Sequence, residues 1–454
     1  LPKAQLNTTA LLSYRKNNFQ AFYKFEYLDE NIDYYNSTVQ SGYNTQLGSY
    51  RYASDKRYLV NRYFHNLNST GKIFSKLKYN VSLSHQKQER NMEDFRYYFQ
   101  TKTEGNNVII KDQSMEVLYA TGTLSNLFVD KKIDLQLGYE IVNNKGFSLV
   151  QEADNKVIPI RKTLENYDFF VSSEIKATEK FSIRPGIRAS AQSKFKDQQA
   201  SSLALRYLLE KGIEIRGSYG NSFRTPSFEE LYTKQIFDGH FFAGNENLIP
   251  ETSTSYEMSF KINSFLASDL QINTTFSGSF LNIKNRIDMA LVRFNTDTGN
   301  PEYEYINISK YKMWNFSTTN QFKKENWTFN IGAAIIGISQ KIENQVFASN
   351  EKYLYSFNLN SSVSYVVPKW NTTFSTYYKF NGKSQQFVEG ASEYVISTVD
   401  SSNWLDASIR KTFFKDKFET TIGARNLLNI TSINQSRTSE GAGHATSSQI
   451  MLAY

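Results

Sequence analysis

The chain has no cysteine among its 454 residues. That excludes a disulfide framework, a thiolate metal site and a cysteine nucleophile. No run of 18 apolar residues occurs, so no transmembrane helix is expected. There is no charge block either. The 52 basic and 44 acidic residues leave a net +8, but they are scattered, which reads as well-mixed solvated charge and not as a nucleic-acid surface. Catalytic signatures are missing. There is no Gly-x-Ser-x-Gly elbow, no His-Glu-x-x-His pair and no phosphate loop, so no enzyme is expected. Glu229 and Glu230 are adjacent, and in a strand they would point to opposite faces. No initiating methionine and no signal-peptide pattern are visible at the start of the sequence given. The chain opens directly in strand-like alternation at "LPKAQLNTTALLSYRKNNF", as if cut from something longer.

What is abundant is aromatic and turn-forming. Aromatics make up 15% of the chain, with 30 Tyr and 34 Phe, beside much Asn, Ser and Thr, a β-rich profile. The dominant period is two. In "YSFNLNSSVSYVV" one face holds Tyr355, Phe357, Leu359, Val363, Tyr365 and Val367, and the other Ser356, Asn358, Asn360, Ser362 and Ser364. Ile213, Ile215 and Tyr219 oppose Glu214, Arg216 and Ser218. Ile133, Leu135, Leu137 and Tyr139 oppose Asp134, Gln136 and Glu140. Such strands have one apolar and one polar face.

Alternation fits a soluble sandwich or a membrane barrel, and turn spacing separates them. Short polar turns fall near Asn17, Gly71, Lys131, Thr178, Lys211, Ala267, Lys324, Pro368 and Asp416. Each interval holds two strands of about 10–15 residues and a longer connection. Short turns at one end and long loops at the other are the layout of an outer-membrane barrel, whereas a sandwich would turn every 8–12 residues or so. Nine turns join eighteen strands, and the half-hairpin after the last gives about nineteen. Paired aromatics (Tyr34 and Tyr35, Tyr97 and Tyr98, Phe169 and Phe170, Tyr377 and Tyr378, Phe413 and Phe414) are expected in interfacial girdles.

Between two of these strands lies "NSFRTPSFEELYTKQIFDGHFFAGNENLIPE", Asn221 to Glu251. Its ends resemble the paired boxes of TonB-dependent outer-membrane receptors: Phe223-Arg224-Thr225-Pro226, then Asn245-Glu246-Asn247-Leu248 with Pro250 and Glu251. Glu246 stands where that family usually has proline. "GARNLLNI", Gly423 to Ile430, is similar to the family's box before the last extracellular loop. The resemblance implies an all-β, transmembrane antiparallel barrel of the 22-strand type. Here it would comprise about nineteen strands over residues 1–454, with the N-terminal plug and first strands absent and the last strand incomplete. Turn chemistry accounts for the boxes as the base of a loop: Pro226 ends ladder pairing, and Gly244 and Asn245 turn the chain back. Arg224 is expected to tie the strand ends through Glu229, Glu230 or Glu251.

The resemblance further implies import of a small metal chelate (siderophore-iron, haem or cobalamin) across the outer membrane of a Gram-negative bacterium. The alternative is a receptor-like barrel serving as a structural subunit of a larger assembly. His240 stands where haem receptors of the family carry an axial ligand. Phe237, Phe241 and Phe242 flank it and suit a flat ligand, while His444, in "SEGAGHATSS", falls in the last extracellular loop. The plainer reading of either histidine is a solvated loop residue. His65 and His85 sit in strand-like segments without metal spacing. No resident metal or cofactor is expected. The implied partners are outer-membrane lipid and lipopolysaccharide, the TonB complex acting through the plug, the chelate, and a surface lipoprotein or larger assembly.

Overall fold

A computed structural model describes residues 3–45, 48–74, 76–128, 132–151, 156–237, 240–267, 269–296, 299–341, 352–389, 394–415, 417–435 and 448–451. Among the described residues, twenty-one strands form one sheet. Three of them are short ribbons at 39–44, 234–237 and 240–243, and the other eighteen pair antiparallel with their neighbours along the wall. All nine anticipated turns join wall strands, from Lys3–Lys16 with Phe19–Tyr34 to Ser402–Phe413 with Phe418–Ala424. Beyond Ala424 the chain pairs Ser432–Gln435 with Ser448–Met451 in a separate four-stranded sheet.

Strand length departs from expectation. Gly48–Ile73 runs 26 residues, Leu270–Phe294 runs 25 and Pro301–Lys324 runs 24. About ten residues cross a bilayer, so these strands continue past it as paired ribbons. Sequence expected to be loop is ladder, because a hairpin that keeps pairing satisfies its own backbone groups.

The wall has two unlike faces. Outward positions in register across neighbouring strands form an apolar belt: Val171 opposite Ile187, Phe316 opposite Ile335, Ile335 opposite Phe357, and Ile409 opposite Ile422. All of these are solvent-accessible on the isolated chain. The inner face is polar and charged. Arg188 bonds Glu140 at 3.0 Å and Asp168 at 2.9 Å, and Glu214 holds both Arg206 and Arg216. Such charges are costly against lipid and cheap in a wet lumen.

Aromatic rows bound the belt. Near the short turns stand Phe181 with Tyr207, and Trp327 with Tyr365; toward the other end stand Tyr219 with Tyr256, and Trp314 with Tyr355. From Trp327 to Gly337, the register partner of Trp314, the strand climbs roughly 33 Å, which tilted gives about a 25 Å band. Phe413 and Phe414 cluster with Phe418 beside the last short turn, but not every pair stands in these rows as expected. Adjacent residues point to opposite faces, so Phe169 is exposed outward while Phe170 lies over Gly138 on the inner face. Tyr98 stands on the far ribbon tip beside Tyr50 and Tyr52.

Candidate functional site

The segment between strands Ile213–Arg224 and Glu251–Ala267 does not hang free. Pro226 has no N–H and stops the ladder. Ser227 then caps a five-residue helix, Phe228–Tyr232. Its hydroxyl accepts the Glu230 N–H at 3.2 Å, and Glu230 accepts the Ser227 N–H at 2.7 Å, a reciprocal capping box. Glu229 and Glu230 are therefore helical and do not alternate across a strand.

The helix faces the barrel wall with Phe228, Leu231 and Tyr232, which join Leu248 and Ile287 in a buried cluster, with Ile160, Leu164, Phe195 and Tyr305 packed against it. Gly146 makes room: a Cβ there would collide with the Phe228 ring. Gly244 does the same on the other side, since its Cβ would stand 2.7 Å from the helix backbone at Leu231 and Tyr232.

Two carboxylates fix the base. Arg224 donates to Glu230 at 3.0 Å and to Glu251 at 2.7 Å, and Glu251 also accepts the Ile287 N–H at 2.6 Å. Asn245 accepts the Asn247 N–H at 2.8 Å and donates its amide to the Tyr305 carbonyl at 3.0 Å. Leu248 is buried, and Pro250 leads into the next strand. Asn307 closes the turn by bonding both backbone groups of Ile249. Sequence reasoning missed Asn307 and the cap. "SFEE" carried the cap's signal, whereas nothing local marks Asn307, 58 residues from its partner.

Burial pushes the Glu230 carboxyl up, but the Arg224 guanidinium and the Ser227 N–H outweigh it and hold it below the ordinary range. A depressed folded value stabilises above the unfolded pKa, about 4.3, and that gain disappears as pH falls through the lower value. Protection of the Ser227–Tyr232 amides, taken relative to their intrinsic exchange at each pH, should thus hold from pH 7 to about 4 and fall below it. Unchanged protection at pH 3 would show that the carboxylate does not hold the helix.

Past the helix, Lys234–Phe237 and His240–Ala243 form a small ribbon in which Phe237 pairs with His240. Phe241–Ala243 add in parallel to Glu302–Glu304. Phe242 stacks on Tyr303 with centroids 5.2 Å apart, and Phe241 is half-buried. The side chains of Phe237 and His240, and all of His444, lie outside the described residues. Beside the ribbon, burial raises the Glu304 carboxyl against the pull of Arg293 and Lys234. Lys194 donates to the Tyr232 hydroxyl at 2.9 Å and stands 3.7 Å from Glu246, the residue in place of the family's usual proline.

At the third motif the Asn426 side chain clips Ile430 through both backbone groups, and its N–H bonds Asp406 at 2.8 Å. His65 and His85 face each other on neighbouring wall strands, with Tyr23 2.7 Å from His65 and Glu116 3.2 Å from His85. Among the described residues no group of three or more His, Asp or Glu is gathered as a metal site.

The family model described as TonB dependent receptor-like, beta-barrel matches residues 4–427. No curated protein matches the sequence. Among solved structures, the siderophore receptor PirA of Acinetobacter baumannii is similar at 13% identity and a TM-score of 0.65, over 94% of this chain and 74% of that one. The outer membrane transporter YddB of Escherichia coli follows at 11% and 0.62, over 95% and 72%. A mutant of the ferric enterobactin receptor PfeA of Pseudomonas aeruginosa gives 11% and 0.56, over 94% and 74%.

Proposed function

We propose, since this chain belongs to the TonB-dependent receptor β-barrel family, that it is the barrel of a Gram-negative importer whose cargo is a small metal chelate. The family is one of outer-membrane transporters and not of enzymes. In this reading residues 1–454 are a partial barrel domain. The plug, through which TonB acts, and the strands that complete the ring belong to the rest of the protein. The cargo is siderophore-iron, haem or cobalamin, and the residues assigned to its binding are Phe237, His240, Phe241, Phe242 and His444.

The observation that supports this is the folded loop. A capped helix, a shared Arg224 clamp and a buried cluster brace the base of the ribbon against the wall. Rigid support is what a binding segment needs if it is not to lose affinity in ordering itself. Phe242 is already stacked on Tyr303, so part of an aromatic surface exists before any ligand arrives.

The test is binding of ferric siderophores, haem and cobalamin to the full-length receptor in detergent, wild type against His240→Ala. One chelate should bind saturably and weaken about tenfold in the variant (~1.4 kcal/mol). A folded barrel that binds none of them would shift weight to a structural subunit or an organic cargo. Equal affinity in the variant would remove His240 from the site.

A further inference from the structure

The inner face of the wall is not uniform. From strand Ile133–Gln151 to strand Ile213–Arg224 it carries ion pairs: Arg184 with Glu174, Arg188 with Glu140 and Asp168, and Glu214 with Arg206 and Arg216. Four later strands, Leu270–Phe294, Pro301–Lys324, Trp327–Lys341 and Tyr353–Val367, differ in character. Phe316, Ile335 and Phe357 face outward, so their chain neighbours Ser317, Ala334 and Asn358 face inward. With Ser277 these stand in one register row. Two residues nearer the short turns the row is Thr275, Thr319, Gly332 and Asn360. Two residues nearer still it is Asn273, Gln321, Asn330 and Ser362. No charge stands in these rows, and Gly332 and Ala334 keep bulk out of their middle.

Charge returns on both flanks. Lys261 stands opposite Thr275 and Glu257 opposite Ser279 on one side. Lys379 stands opposite Asn360, and Asp406 opposite Tyr377, on the other. The neutral stripe is therefore four strands wide, roughly 14 Å from first to last at about 4.8 Å per spacing.

The row nearest the turns is tied together. Asn273 donates to Gln321 at 3.2 Å, Gln321 to Asn330 at 3.0 Å and Asn330 to Ser362 at 3.0 Å. Amide and hydroxyl side chains both donate and accept. A passing polar group can take over one such bond while the displaced amide turns to another neighbour, so no group is left unpaired, which is the costly state. Passage needs contacts favourable enough to enter, yet weak and repeated enough to leave. Rows of neutral groups about 7 Å apart meet that need. An ionic wall does not, because a charged group would be held by one sign and repelled by the other.

We propose that the cargo crosses the lumen along this neutral stripe, between the Lys261 and Lys379 flanks, with its rows as successive low-affinity contact sites. The proposal rests on the importer reading above and adds the route.

The experiment narrows one side of the lumen at a time in the full-length receptor. Ala334→Trp fills the stripe. Ala204→Trp adds the same bulk on the ionic side, where Ala204 stands opposite Arg184 and Ser218. Ferric siderophores, haem and cobalamin are offered to energised cells, and binding at the surface is measured apart from import. Heat-modifiable migration checks folding. Ala334→Trp should leave binding unchanged and slow import about tenfold, while Ala204→Trp should keep import within about twofold of wild type. If Ala334→Trp fails to fold, Thr319→Cys decides. Its thiol, placed in a chain without cysteine, is capped after folding with benzyl methanethiosulfonate. Import should fall and return on reduction, with wild type unaffected by the reagent. Unslowed import in folded Ala334→Trp or in capped Thr319→Cys would overturn the route alone. Equal slowing by both tryptophans would overturn it too, since crowding anywhere in the lumen would then suffice. Wild type that binds none of the chelates would instead sink the importer reading, and the route with it.

Discussion

Leu231→Ala should release the segment 225–250 from the barrel wall while leaving the barrel itself assembled. Leu231 is 1% exposed at the centre of the cluster that holds the helix. Truncating a buried leucine costs about 2–5 kcal/mol, from lost transfer energy and the cavity left behind. A five-residue helix has no intrinsic stability to oppose that loss. Its capping box is worth about 1 kcal/mol, and the half-exposed Arg224 clamp little more. The local opening equilibrium should therefore move by two orders of magnitude or so. Limited proteolysis and amide exchange should report it at 225–250 and not in the wall strands. Gly146→Val should act alike from the opposite side, because its side chain would occupy the place of the Phe228 ring. Chelate affinity should fall in both variants if the ribbon carries the site. Unchanged protection of 225–250 would mean that hydrogen bonds, and not the cluster, hold the loop.

The same segment shows where sequence reasoning ends. The nine turns were legible because each interrupts a period of two, a local property. Arg224's tie to Glu230 and Glu251 was legible as charge complementarity across a strand pair. The helix was not, since five residues are too short to show a period of 3.6, and only Ser227 and Glu230 carry its signal. Asn307 and the parallel pairing of Phe241–Ala243 with Glu302–Glu304 join residues some 60 positions apart. Nothing in either stretch alone selects the other. Length of pairing was also hidden: Leu77–Tyr98 and Thr103–Ser125 continue far past a membrane's thickness because their polar outer residues still suit a ladder in water.

The strand Phe181–Gln192 lets the assignment of faces be tested with one substitution. It reads "FSIRPGIRASAQ". Arg184 and Arg188 point inward to carboxylates, Glu174 for the first and Glu140 with Asp168 for the second. Ile187, one residue from Arg188, points outward between Val171 and Ser201 and is 58% exposed on the isolated chain. It lies six residues above Phe181 of the lower aromatic row, which places it near the middle of the belt. An arginine is thus tolerated at 188 because that face is wet and paired. At 187 the same side chain would meet hydrocarbon. Ile187→Arg should cost about 2–4 kcal/mol, the penalty for a cation at the bilayer midplane of a barrel. Ile187→Met should cost less than about 1.5 kcal/mol. Unfolding of the full-length protein in lipid vesicles by guanidinium measures both. In detergent, where the belt is more loosely covered, the difference should shrink. Equal stability of the arginine and methionine variants in lipid would mean that Ile187 does not face the membrane, and the two faces of the wall would have to be exchanged.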